Sequence, residues 1–381
     1  MAEEELYVRS PINKKLTLWA TALMFAQTGL TSPAHAQTVE AEDDAPHIKF
    51  GGAVRFNYGW LDYGSTQRLR LELLRADVNG SAGSLFFSAQ YRWYRDYSTI
   101  HHAWVGWKFD NDSDIRAGIQ QVPFGLLPVA SHSFWLGSGY YLGLEDNYDL
   151  GVVWQHHEGN HQWHLGYFAS DEYGTGRNYD RYAFDVASTT TLPYRERGQL
   201  NLRYEYTDHW NGGTWHVGAS ALLGQIERTD TGDHYQHDAA ALHAQWDKNA
   251  WSWQAQWARY RYHIPGDRIA MAASQSTFEV ARAADVPSLN VAYKVPHTGR
   301  LDAITCYNDL SATLPVGDAP GLSNSVQNVT GCSFGKGPLL VYLDWITGKN
   351  MKFSGGDGVG LATPTVTGWH SRLNLNIGFY F

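Results

Sequence analysis

Residues 372–381 read Arg-Leu-Asn-Leu-Asn-Ile-Gly-Phe-Tyr-Phe. Side chains alternate across an extended chain. Leu373, Leu375, Ile377, Phe379 and Phe381 therefore share one face, and Arg372, Asn374, Asn376, Gly378 and Tyr380 the other. The same period of two runs through Ile48, Phe50, Gly52, Val54, Phe56, Tyr58 and Trp60. In a soluble sandwich the apolar face would point into a core. In a membrane barrel it meets lipid, and the polar face lines the lumen. One strand cannot separate these; the number of strands and the way they are joined can.

Sixteen such stretches are legible: 48–60, 68–80, 85–94, 100–109, 114–121, 149–156, 162–169, 199–206, 214–223, 239–246, 251–262, 288–295, 301–309, 326–334, 339–346 and 369–381. Every second link is short and made of turn residues, as in Ser81-Ala82-Gly83-Ser84, Asp247-Lys248-Asn249-Ala250 and Gly335-Lys336-Gly337-Pro338. The alternate links include 122–148, 170–198, 263–287, 310–325 and 347–368, far longer than ordinary connections. Short turns on one side and long loops on the other define the expected fold. It is an all-β, 16-stranded antiparallel transmembrane barrel with short periplasmic turns and long extracellular loops.

Composition agrees. The chain has 381 residues, 14% aromatic, with 38 Gly, 16 Trp and 23 Tyr, and a mean hydropathy of -0.40. Lys14 and Lys15, the apolar run 16–26 and Ala34-His35-Ala36 have the layout of a secretory signal. The expected organisation is a signal peptide over 1–36, a short tail over 37–46 and a barrel over 47–381. The net charge of -9 speaks against nucleic acid as a partner. The surroundings expected of such a barrel are outer-membrane lipid and lipopolysaccharide.

On the expected inward faces basic residues recur: Lys49, Arg55, Arg68, Arg70, Arg92, Arg116, Arg203, Lys294 and Arg372. In the second strand Leu69, Leu71 and Leu73 share one face, but Leu74, Ala76 and Val78 share the other. A bulge near Leu73 and Leu74 would restore the phase and turn Arg75 and Asp77 inward. Arg68, Arg70 and Arg75 would then form a column that attracts anions. The competing reading pairs each arginine with a wall carboxylate such as Glu72, Asp77, Asp149, Glu205 or Asp344, leaving little selectivity.

The third long link is too apolar to hang in water. Pro123, Phe124, Gly125, Phe134, Trp135, Glu145 and Asp146 are expected in a loop that folds into the barrel and narrows it; packing on the outer rim or at a subunit contact is the other placement.

The terminal stretch resembles the signal by which bacterial barrels are presented to their assembly machinery, which makes that machinery an expected partner. Residues 115–126, Ile-Arg-Ala-Gly-Ile-Gln-Gln-Val-Pro-Phe-Gly-Leu, resemble the phosphate-selective porin O and P family, in which a Gly-Gln strand leads into Pro-Phe-Gly. Arg75-Ala76-Asp77-Val78-Asn79-Gly80 is similar to that family's arginine-led second strand. The resemblance implies a homotrimer of 16-stranded barrels in the bacterial outer membrane passing small anions. The loops are lysine-poor and show no counterpart to the family's central lysine cluster, so phosphate specificity is not carried over.

His156, His157, His161 and His164 have spacings that can chelate a metal, but they straddle a turn where polar residues are expected, and neither a metal nor a cofactor is called for. Cys306 and Cys332 each stand 13 residues from position 319 and are expected to form a cross-strand disulfide. No G-x-S-x-G or other nucleophile motif is present. The functional expectation is a porin for passive diffusion of small hydrophilic solutes, anion-preferring, and not an enzyme. A barrel hydrolase and an adhesin or structural barrel are the alternatives.

Overall fold

The computed structural model describes residues 46–175, 179–296, 298–363 and 368–381. The expected signal peptide and most of the tail lie outside the described residues. Sixteen strands form a closed barrel. In chain order they are β1 (His47–Leu61), β2 (Gln67–Ala82), β3 (Leu85–Tyr94), β4 (Ser98–Lys108), β5 (Ser113–Gln121), β6 (Tyr148–Glu158), β7 (His161–Asp171) and β8 (Tyr194–Trp210). They continue with β9 (Gly213–Arg228), β10 (His234–Lys248), β11 (Trp251–Tyr262), β12 (Ala283–Lys294), β13 (Ala303–Pro315), β14 (Ser325–Lys336), β15 (Leu339–Lys349) and β16 (His370–Tyr380). Each pairs antiparallel with its sequence neighbours, and β16 closes on β1, with Ala53 opposite Tyr380 and Leu61 opposite Arg372.

Alternation decides which face meets what. In β11, Trp251, Trp253, Trp257, Arg259 and Arg261 are exposed on the outer wall, whereas Gln254, Gln256, Ala258, Tyr260 and Tyr262 are buried inside. Ladders of Leu, Val and Trp cover the outer surface, as lipid requires. The short turns use residues suited to them. Asn211 and Gly212 both take positive φ, 54° and 72°, in the two-residue turn that joins Trp210 to Gly213, the twist a tight hairpin needs.

The phase break in β2 falls slightly earlier than expected. Phe56 pairs with Leu71 and Arg55 with Leu73, so Glu72 is the extra residue. The bulge turns Glu72 into the lumen, where Arg55 donates to it at 3.1 Å and Asn376 at 2.5 Å. A charged residue on the lipid face would be costly, and the bulge avoids that.

The long loops do more than expected. The third loop (122–147) enters the barrel, and so do parts of the fourth (172–193), sixth (263–282) and eighth (350–369). Asp185–Val186 of the fourth loop pairs with a sixth-loop hairpin, Arg268–Ala273 with Ser276–Ala281. Phe124, Tyr141, Leu142, Phe184, Val186, Ile264, Ile269, Met271, Phe278, Val280, Met351 and Val359 gather into one apolar cluster against the inward Ala258, Tyr260 and Tyr262. The core of this molecule therefore sits inside the mouth of the barrel and is built largely from loops.

Candidate functional site

The site is the lumen, and the third loop shapes it. Gly125 N donates to Ser220 Oγ at 3.0 Å, and Leu126 N to Gln256 Oε1 at 2.7 Å. Arg203 Nε donates back to Gly125 O at 2.7 Å. Gly125 has φ 63° and lies so close to the wall that a Cβ would meet Gln256 Oε1 at 2.2 Å, so Pro-Phe-Gly is a docking element that needs its glycine. Further along, Asp309 on β13 accepts from Ser131 Oγ, His132 N and Ser133 N, each at 2.8 Å. Asn290 donates to Ala130 O and Gln327 to Leu136 O. The loop thus runs along the inner wall from β9 to β14.

Its aromatic tip reaches the arginines. Phe134 lies under the Arg55 guanidinium at 5.1 Å and Trp135 under Arg372 at 3.9 Å. Glu145 and Asp146 close the loop, both buried. Glu145 Oε1 accepts from Gln256, and Asp146 accepts a short hydrogen bond from Tyr182 Oη. Burial pushes the Glu145 carboxyl up to about 8 and the Asp146 carboxyl up to about 6. All the residues named for the constriction lie inside the barrel.

The inward arginines are distributed differently from the expected column. Arg75 sits directly opposite Arg92 of β3, with Arg55 two residues along on β1. Arg68 and Arg70 lie exposed at the outer end of β2, separated from Arg75 by the bulge. Carboxylates hold several of these arginines: Arg55 with Glu72 at 3.1 Å, Arg75 with Asp77 at 2.8 Å, Arg116 with Asp114 at 3.0 Å and Arg203 with Glu205 at 2.5 Å. Asp344 instead accepts from Tyr307 and Asn374. Among the described residues no carboxylate salt bridge reaches Arg92 or Arg372. Arg92 lies beneath the Tyr182 ring at 4.3 Å. Lys49 and Lys294 occupy inward positions at the turn-side ends of β1 and β12.

Charge is segregated around the wall. On β1 to β5 and β16 the inward basic residues are Lys49, Arg55, Arg70, Arg75, Arg92, Lys108, Arg116 and Arg372, against Glu72, Asp77 and Asp114. On the remaining strands the inward charges include Asp149, Asp171, Glu196, Glu205, Asp247, Asp309 and Asp344 with Arg203 and Lys294, of which Asp149 and Asp344 lie on the strands that border the basic wall. The third loop covers Asp309. The basic wall keeps Arg55, Arg75 and Arg116 partly open to water.

The turn histidines do not converge. His156 stacks on outward Trp154 at 5.6 Å, whereas His164 is buried inside beside Arg203. Cys306 and Cys332 sit directly opposite each other and are bonded, with Cα atoms 3.9 Å apart. The residues that sequence reasoning missed are the loop anchors Ser220, Gln256, Asn290, Asp309 and Gln327. Each was visible only as a polar residue at an inward position.

The family model for phosphate-selective porin O and P matches residues 49–277. The chain belongs to that family. Solved structures similar to this porin include the anion-selective porin from Comamonas acidovorans, 12% identical with a TM-score of 0.56, over 88% of this chain and 100% of that one. OmpF of Salmonella typhi, in complex with daunomycin, is 14% identical with a TM-score of 0.58, over 90% of this chain and 99% of that one. OmpT of Vibrio cholerae, in a trimer form, is 12% identical with a TM-score of 0.58, over 89% and 100%. At these identities the likeness is one of fold. No curated protein matches the chain. This porin is a channel of the bacterial outer membrane.

Proposed function

We propose that this porin passes small hydrophilic solutes by passive diffusion along its basic wall, prefers anions, and catalyses no reaction. The observation that carries the reading is the charge segregation. A solute threading between the third loop and β1 to β5 meets Arg55, Arg75 and Arg116, while the loop covers Asp309 on the opposite wall. Arg92 and Arg372 are capped by rings, which leave their charge intact, and a weakly screened lumen extends its reach. The paired carboxylates make the preference modest. Reversal potentials of purified protein in planar bilayers under a salt gradient test this: the expected sign is anion preference, weakened in R75A/R92A. Cation preference in the parent protein overturns the reading.

The mature chain in this reading starts after Ala36, and three copies assemble. A polar patch on the outer wall supports assembly. Asn308 donates to Asn328 Oδ1 at 3.0 Å and to Thr330 Oγ1 at 2.6 Å, midway along β13 and β14. Side chains of this kind are poorly placed against lipid and well placed at a protein contact. Mass measurement in detergent of the parent and of N308L/T330L tests it, with loss of the trimer in the variant as the expected result.

A further inference from the structure

We propose that the external mouth of the barrel carries a divalent-cation site, suited to Ca2+, built from Asp149, Asp185 and Glu196. Asp149 opens β6 and Glu196 lies in the first turn-length of β8, so both belong to the wall, while Asp185 is brought in by the fourth loop. One carboxylate oxygen from each lies within 4.8 Å of the others.

The surroundings leave negative charge uncompensated. Asp149 pairs directly opposite Asp171 across β6 and β7, an arrangement of like charges that weakens a sheet. Glu172 follows. The guanidinium of Arg181, fully buried, reaches Asp171 at 2.9 Å, Asp185 at 3.5 Å and Glu172 at 3.8 Å. Three of these five carboxylates share a single arginine, and among the described residues no salt bridge reaches Asp149 or Glu196.

A second observation points to a ligand. Asp149 and Asp185 are each 1% exposed; Asp149 Oδ1 has no hydrogen-bond partner, and Asp185, which faces the Glu172 carboxyl, has only the Arg181 guanidinium 3.5 Å from its Oδ2. Their other oxygens are served: Gln199 donates to Asp149 Oδ2 at 3.2 Å and Asn147 to Asp185 Oδ1 at 3.0 Å. Oriented, desolvated carboxylate oxygens without donors are costly unless a cation or protons satisfy them. A small cavity of about 10 Å³, lined by Asp149, Glu196, Ser170 and Gln199, adjoins them. It is of the size of one water or ion.

The donor chemistry selects among cations. All the donors are oxygens, which excludes soft metals. A cage of protein carboxylates favours Ca2+, because Mg2+ gives up its water reluctantly and is seldom held by protein oxygens alone. Bound there, the ion would tie Asp185 to the wall. Its neighbour Val186 pairs with Met271 of the sixth-loop hairpin, so the ion would lock the loops that fill the mouth.

The test uses the full porin in detergent after treatment with EGTA. Calorimetric titration with CaCl2 at neutral pH is expected to show one saturable site per chain, at least tenfold tighter than for MgCl2. Calcium is also expected to slow proteolytic cutting within residues 172–193. D185N and E196Q should each lose at least tenfold in calcium affinity and lose the calcium-dependent protection, while retaining the heat-modifiable gel migration of a folded barrel. If one variant fails to fold, the other decides. No saturable calcium uptake by the parent protein, as expected if these acids simply keep protons, overturns the proposal. So does unchanged affinity in the folded variants.

Discussion

The Arg372 guanidinium stands 3.9 Å from the centroid of the Trp135 ring, so a wall cation on the closing strand is capped by the tip of the third loop. A desolvated contact of this kind contributes about 2 kcal/mol. Arg372 also donates to Phe353 O at 2.8 Å, which ties the third and eighth loops to one side chain. Trp135→Ala is expected to uncover Arg372, raise single-channel conductance and increase anion preference, with the unheated protein still migrating as a folded barrel on a gel. An unchanged conductance would show that Trp135 does not border the path.

Asp309 is the principal anchor of the same loop. Its carboxylate takes three donors from residues 131–133 at 2.8 Å, and His132 Nδ1 lies 3.2 Å from its other oxygen. Hydrogen bonds to a charged group contribute about 1.5–3 kcal/mol each, and losing the cluster removes the loop's hold on β13. Asp309→Ala should make the amides of His132 and Ser133 exchange at least tenfold faster with solvent deuterium and should widen conductance fluctuations. Retained protection at those amides would place the anchor elsewhere.

These two residues mark what the sequence could and could not convey. Strand periodicity and the segregation of link lengths made all sixteen barrel strands legible, because lipid and lumen impose opposite chemistry on alternate residues. The same rule placed Arg55, Arg92, Arg116, Arg203 and Arg372 inward. It failed at β2, where a bulge can sit at either of two neighbouring residues and still restore the phase; the structure chose Glu72 because Arg55 and Asn376 receive its carboxylate. The third loop declared itself by Pro123-Phe124-Gly125 and Phe134-Trp135. The sixth-loop hairpin did not, since Ile269, Ala270 and Met271 have no period and Met271 pairs on its other edge with Val186 of the fourth loop. Asp309 looked like one more polar wall residue, because its role depends on a loop 176 to 178 positions away.

The Cys306–Cys332 bond closes a 26-residue separation across β13 and β14. On chain-entropy grounds such a cross-link contributes about 3.5 kcal/mol. The barrel's other strand pairs hold without covalent help, so C306S/C332S is expected to fold into a channel of unchanged conductance. Its resistance to heating in detergent should fall, with unfolding on a gel several degrees below the parent. An equal fall on adding reductant to the parent would assign the effect to the bond. No fall in either case would mean that the ladder alone sets stability there.

Glu145 makes the third loop sensitive to pH. Burial is the largest cause of its rise from 4.5 to about 8, Asp146 and Asp309 raise it further, and the donor Gln256 opposes them. Because the folded value lies above the unfolded one, the loop is packed around the neutral acid. That contribution is complete below about 4.5 and is lost as pH rises through about 8. Above that pH an ionised Glu145 lies buried beside Asp146, itself raised to about 6, and the loop's C-terminal half should loosen. Conductance noise and proteolytic cutting near residues 139–147 are therefore expected to increase from neutral pH to roughly pH 9. Glu145→Gln keeps the acceptor for Gln256 and removes the charge, so it should hold the loop closed across that range and flatten the profile. A variant with the parent's pH profile would assign the change to another group and leave Glu145 as a purely structural contact.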